Sequence, residues 1–213
     1  VKGAGVQRVS LDLIFGVPGQ SLDDWRRDLD HAIELGPSHL SCYGLMFEPG
    51  TPLTRRRDQG RIEAIDPDLE ASMYEWTIRR LADAGFEHYE VSNWARPGEA
   101  CRHNLAYWRG GSWWAFGPSA VGQLRDAEGL GGWRWRNVPR LGSWLATDPW
   151  PPVKDLERIE PATARVEAFM LGLRLVAGMD RRWVETLLAE DPEAARRRTT
   201  IDGEIVAGRL EWA

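Results

Sequence analysis

Asp12 is the first residue whose setting points to chemistry. It stands in Ser10-Leu11-Asp12-Leu13-Ile14-Phe15, where alternation puts Leu11, Leu13 and Phe15 on one face of a strand and Ser10, Asp12 and Ile14 on the other. In parallel α/β sheets and barrels, ligands gather at the carboxyl ends of strands. A carboxylate at that end can accept hydrogen bonds from two sugar hydroxyls. The competing expectation is an acid bonded to a neighbouring backbone group or arginine, because a buried carboxylate without partners is costly. The second dense cluster is Cys101-Arg102-His103-Asn104-Leu105-Ala106-Tyr107-Trp108. A neutral imidazole such as His103 can ligate a metal or heme, and Tyr107 and Trp108 can pack against a planar ring. The plainer alternative is a hydrogen-bonded structural histidine in a loop.

Other chemistry is not legible. Cys42 and Cys101 lie far apart with no CxxC spacing, so they form neither a disulfide framework nor a zinc or cluster set. His31, His39 and His88 have no metal-ligand spacing, no Ser/His/Asp arrangement can be read, and nothing pairs Glu48, Glu70 or Glu90. Gly16-Val17-Pro18-Gly19 lacks the Lys-Ser/Thr of a phosphate loop and reads as a tight strand-to-helix turn. The 12 tryptophans cluster at Trp113-Trp114 and Trp133-Arg134-Trp135. Such aromatics can line a flat ligand site, although plugging a core or interface is the weightier reading.

The formal net charge of −5 offers no basic field for nucleic acid or an anionic membrane. Arg196, Arg197 and Arg198 read as a solvated helix end. No apolar run approaches the ~18 residues of a membrane span, and no leader is visible, so a cytoplasmic, reducing setting is expected. Because Val1 is followed at once by a strand pattern, the chain reads as one cut from a longer sequence.

The elements that must position these residues alternate. Val9–Phe15 predicts a strand, Ser21 with Asp24 a capping box opening a helix that Gly36-Pro37 stops, and His39–Met46 a second strand. A loop with Glu48-Pro49-Gly50-Thr51-Pro52 follows, then a helix from Asp66-Pro67 to Gly85, and a third strand over Phe86–Ser92. Short connections between these predict parallel βαβ units. Beyond Asn93, short strands are expected near Trp113–Phe116, Ala120–Arg125 and Trp133–Asn137, and a linker at Asp148–Pro152. A helix from Pro161 to Gly178 and two shorter ones at Arg182–Ala189 and Pro192–Arg198 complete the pattern.

Four motifs, in order, resemble one family. Asp12-Leu13-Ile14-Phe15-Gly16-Val17-Pro18-Gly19-Gln20-Ser21 and Glu48-Pro49-Gly50-Thr51-Pro52-Leu53 are similar to segments of radical S-adenosylmethionine proteins of the oxygen-independent coproporphyrinogen III oxidase-like type. Tyr89-Glu90-Val91-Ser92-Asn93-Trp94-Ala95 and the H-N-x-x-Y-W element at His103–Trp108 resemble the heme-chaperone branch. The resemblance implies an α/β fold: the C-terminal part of a partial (β/α) radical-SAM barrel over residues 1–147, then a small, mainly helical domain over 153–213. It implies a [4Fe-4S] cluster and S-adenosylmethionine in the complete protein, with Asp12 on the ribose and Ile14 and Met46 flanking the adenine. It places heme at His103, Asn104, Tyr107 and Trp108, and names heme-receiving client proteins as partners. Porphyrinogen oxidation and a cluster-free heme-binding module are the alternatives. The sequence departs from the family pattern in having no CxxxCxxC, no Gly-Gly-Glu segment and Val121 where a His is usual, and its C-terminus is short of the expected wing. No metal is therefore expected on this chain's own residues.

Overall fold

The computed structural model describes residues 2–127, 129, 131–146, 152–189 and 191–212. They fall into two compact units, Val1–Cys101 and Arg102–Ala213.

In the first unit, β1 (Ser10–Phe15) pairs in parallel with β2 (His39–Gly44), joined by α1 (Leu22–Glu34). The helix starts where expected: Ser21 and Asp24 form the reciprocal capping box. The loop after β2 holds a short helix, α2 (Pro52–Asp58), that the sequence analysis did not foresee. Thr51 caps it and Pro52 opens it, while the Thr51 and Thr54 hydroxyls both donate to the Glu48 carbonyl, at 2.9 and 2.6 Å. The E-P-G-T-P-L motif is thus first of all a capping device. α3 (Pro67–Asp83) begins at the Asp66 cap, and Gly85 follows its end at φ +79°.

The third strand differs from expectation. It breaks into β3 (Glu87–Glu90) and β4 (Asn93–Ala95), an antiparallel hairpin, and β4 inserts between β2 and β3. The cause is local. The Glu90 carboxylate accepts from the Ser92 N–H at 3.3 Å and from the Asn93 amide, which closes a turn at Val91-Ser92 without glycine or proline. The sheet order is therefore β1-β2-β4-β3, and only the first pair is parallel.

Helices α1 and α3 cover one face of this sheet. Trp25, Leu29, Leu40, Met73, Leu81 and Trp94 are completely or almost completely buried there. The Trp25 indole N–H donates to the Thr77 hydroxyl at 2.9 Å, and that hydroxyl donates to the Met73 carbonyl at 2.8 Å, so this pair of buried polar groups is bonded. Each buried Leu contributes roughly 1.5–3 kcal/mol of transfer free energy.

The second unit opens with α4 (Arg102–Trp108), then an antiparallel sheet of β5 (Val121–Arg125), β6 (Gly132–Asn137) and β7 (Val153–Ile159), in that order. Two features correct the sequence analysis: His103 lies on a helix, not a loop, and β7 was not anticipated. Around Trp113 there is a single bridge to Gln123 instead of a strand. Of the stretch expected as a linker, Asp148 to Pro151 lie outside the described residues, and β7 beyond it pairs with β6. After α5 (Leu141–Leu145), α6 (Pro161–Gly172), α7 (Arg181–Ala189) and α8 (Ala194–Val206) complete the unit. α6 ends at Gly172, six residues before the expected Gly178, where the backbone passes into tight turns: the Arg174 N–H donates to the Leu171 carbonyl at 3.1 Å and the Leu175 N–H to the Gly172 carbonyl at 3.2 Å.

Candidate functional site

The face of the first sheet turned away from α1 and α3 carries Ser10, Asp12 and Ile14, all exposed, beside His39, Ser41 and Tyr43 of β2. Asp12 registers with Ser41, Ser41 with Asn93, and Asn93 with Glu90, so one polar row crosses all four strands. The expectation that Asp12 needs a protein partner fails for a physical reason. Its carboxylate is exposed and keeps its hydration, and no hydrogen bond or ion pair engages it among the described residues. It is left with acceptor capacity for a ligand.

Gly44 registers with Phe15, and the Leu45 N–H donates to the Phe15 carbonyl at 2.9 Å, so the carboxyl ends of β1 and β2 stay together. Met46, 73% exposed, follows directly, and Ile14 is exposed on the same sheet end. The Gly16-Val17-Pro18-Gly19 turn is held by the Gln20 side chain, whose Oε1 accepts from the Gly16 N–H at 2.9 Å. Gly16 sits at φ +77°, a conformation that favours glycine. This geometry brings Asp12, Ile14 and Met46 to one end of one sheet: a carboxylate flanked by exposed apolar side chains.

Farther back on the same face, His39 links three strands. Its Nδ1 is 2.9 Å from the Ser10 hydroxyl and its Nε2 is 2.7 Å from the Tyr89 hydroxyl. Burial depresses its pKa, and the charge of Asp12 opposes that shift in part. His88 stacks on Trp94 at 4.3 Å and is likewise held below its ordinary pKa by burial.

In the second unit, α4 displays His103 on its surface, with Tyr107 one turn on and edge-to-face at 4.8 Å. Tyr107 in turn meets Trp113 at 4.3 Å. Neither ring nitrogen of His103 has a hydrogen-bond partner among the described residues. Trp108, half-buried, lies under the Arg174 guanidinium at 4.6 Å, which ties α4 to the segment following α6. Asn104 is half-buried and has a polar partner. The helix thus brings His103 and Tyr107 together at the surface and commits Trp108 to packing.

The hairpin residues Tyr89, Glu90 and Asn93 belong to the same sheet face and were not singled out as site residues. Their signal was the dense polar run Tyr89-Glu90-Val91-Ser92-Asn93, which periodicity reads only as strand.

These features have known counterparts. No family model matches the chain. The fold is that of a radical S-adenosylmethionine protein: the crystallised coproporphyrinogen III oxidase (HemN) of Escherichia coli aligns with a TM-score of 0.64 and 18% identity, over 87% of this chain and 44% of that one. The heme chaperone HemW of Mycobacterium tuberculosis is 41% identical over 196 residues, 87% of this chain and 49% of that protein. That of Synechocystis is 37% identical over 198 residues, 92% and 47% respectively. The mitochondrial radical S-adenosyl methionine domain-containing protein 1 of the mouse is 43% identical over 125 residues, 59% of this chain and 28% of the other. The chain belongs to the HemW family of radical S-adenosylmethionine proteins and spans about half the length of the curated relatives it matches.

The residues present fit the family's ligands unequally. An exposed carboxylate between apolar side chains suits a nucleoside, and an exposed, unpartnered imidazole suits an axial ligand. A [4Fe-4S] cluster does not fit. Cys42 lies buried in the core with its thiol pushed up to about 12 by burial and then by Asp12, Cys101 is distant in sequence, and the chain has no third cysteine. No group of three or more His, Cys, Asp or Glu able to hold a metal occurs among the described residues. No helix among them is long and apolar enough to cross a membrane.

Proposed function

We propose that this chain is the heme-handling part of a HemW-type chaperone, binding heme at α4 and passing it to client proteins in the cytoplasm. The observation that carries the reading is His103: an exposed imidazole with neither nitrogen engaged among the described residues, edge-on to Tyr107, in a chain 41% identical to a heme chaperone. In this reading His103 supplies the axial nitrogen, Tyr107 flanks the ring, and Asn104 and Trp108 hold the helix in place. Loose, one-sided ligation on a surface helix suits a carrier, because the same exposure that admits heme lets it leave.

Asp12 accepts hydrogen bonds from the ribose hydroxyls of S-adenosylmethionine, with Ile14 and Met46 against the adenine. The cofactor supplies radical chemistry when bound next to a [4Fe-4S] cluster in the complete protein, and this chain provides no residues for that cluster. Residues 1–147 serve as the barrel part and 153–213 as the C-terminal domain. The likeness to the E. coli oxidase is one of fold and favours a second reading, porphyrinogen oxidation. Turnover of coproporphyrinogen III by the complete protein would establish that instead.

The test is transfer. The chain loaded with ferric heme is mixed with apomyoglobin, and the rise of the myoglobin Soret band is followed. The reading expects saturable, protein-to-protein transfer that is lost in His103→Ala, and fails if the variant loads and delivers heme as the parent does.

A further inference from the structure

The second sheet has two unlike faces. The face toward α6 is polar and bonded: Arg134 donates to Gln123 at 2.9 Å and to both Glu167 carboxylate oxygens at 2.7 Å. The opposite face carries Leu124, Trp133, Trp135 and Leu156, in the register rows Gly122–Trp135–Leu156 and Leu124–Trp133–Arg158. Trp114 meets Trp135 edge-to-face at 5.4 Å and is 60% exposed, and Leu156 is 65% exposed. The Trp135 indole lies against Gly122, where a Cβ would collide with it. Trp114 and Trp133, 60% and 44% exposed, with the half-buried Trp135 make a cluster of indoles that is unusual on a surface and marks a binding site.

Charge selects the occupant. On the edge strand β7, alternation puts Arg158 on the same face as Leu156, and Lys154 stands at the bulge where the register shifts beside Arg136 and Asn137. Arg158 lies over the Trp133 ring at 5.3 Å, and Lys154 is exposed, its nearest acid 4.0 Å away. A planar apolar disc with carboxylates along one edge matches an indole cluster with a cationic rim. We propose that this face is a platform for a porphyrin, with the ring over Trp114, Trp133 and Trp135 and its carboxylates at Lys154 and Arg158. The proposal deepens the heme reading and gives heme a second, iron-independent hold on the chain.

Metal-free protoporphyrin IX separates the two, because without iron it cannot be ligated by His103. Binding to the complete 213-residue chain is read by tryptophan fluorescence quenching, with far-UV circular dichroism as a check on folding. The platform predicts equal affinity for the parent and His103→Ala, and at least a fivefold loss in K154A/R158A and in Trp114→Ala, both exposed positions. It also predicts that the dimethyl ester of protoporphyrin IX binds the parent and K154A/R158A alike. Unchanged affinity for protoporphyrin in both folded variants would overturn the platform. So would equal binding of acid and ester by the parent, or a loss in the variants traced to a parent dimer held together by this face. A His103→Ala variant that still ligates ferric heme would instead sink the axial-ligand reading and leave the platform standing.

Discussion

The two units solve opposite problems. The first buries its large side chains, with Trp25, Leu29, Met73, Leu81 and Trp94 almost inaccessible under two capped helices, and leaves Ser10 and Asp12 exposed on the opposite sheet face. The second leaves aromatic and aliphatic groups at the surface, as at Trp114, Trp133, Phe116 and Leu156, and holds the part-buried pair Arg134–Glu167 on the other face of its sheet. A nucleoside needs fixed hydrogen-bond acceptors on a rigid frame, whereas a porphyrin needs flat apolar area and a ligating nitrogen. In the proposed reading, each unit answers one of these demands.

The contrast breaks most visibly under core truncation. Leu29→Ala or Met73→Ala removes a fully buried side chain and should cost about 2–5 kcal/mol in urea unfolding, while Leu156→Ala should stay within about 0.5 kcal/mol. Similar costs at the two kinds of position would erase the distinction. Next in size, Gly122→Val forces the Trp135 indole off the sheet and should destabilise by about 1–3 kcal/mol while reddening the tryptophan emission.

Asp12→Asn should weaken S-adenosylmethionine binding about tenfold, the loss of a charged acceptor, with little change in thermal stability because no described residue bonds to this carboxylate. Nuclear magnetic resonance saturation transfer on the nucleoside reads the change, and heme binding should not move.

The smallest effect is pH dependence. His39 and His88 both have folded pKa values below the ordinary value of about 6.5, so the unfolded chain binds more protons near that pH. Their stabilising contribution is complete above pH about 6.5 and declines as pH falls through and below it. His39→Gln should flatten that slope between pH 7 and about 5, and an unaltered slope would remove His39 from the account.

Legibility in the sequence followed the same division. In the first unit, β1, α1, β2 and α3 were read within a residue or two at most ends, because Ser21, Asp66-Pro67 and Gly85 are strong local stop and start signals. The β3–β4 hairpin was missed because its turn is closed by the Glu90 side chain and not by a turn residue. α2 was missed although Thr51-Pro52 announces it, since its seven residues are too few for a periodic signal. In the second unit β7 escaped because Val153-Lys154-Asp155-Leu156-Glu157-Arg158-Ile159 is mostly polar and nearly all exposed, the mark of an edge strand. The placement of His103 on a helix was also hidden: α4 has seven residues, and no cap is legible in front of Arg102. Asp12 and His103 were singled out from the sequence, the first as an acid in an apolar strand and the second by the aromatic cluster around it, and the structure leaves both side chains exposed.

The central claim is that the second unit holds heme through His103. Titrating ferric heme into the chain and into His103→Ala, and following the Soret band, tests it most directly. The account predicts a shifted Soret band with the parent. It predicts an unshifted band and at least a tenfold weaker affinity in the variant, with residual binding that stays sensitive to Lys154 and Arg158. A Soret position and affinity unchanged by the loss of the imidazole would contradict it.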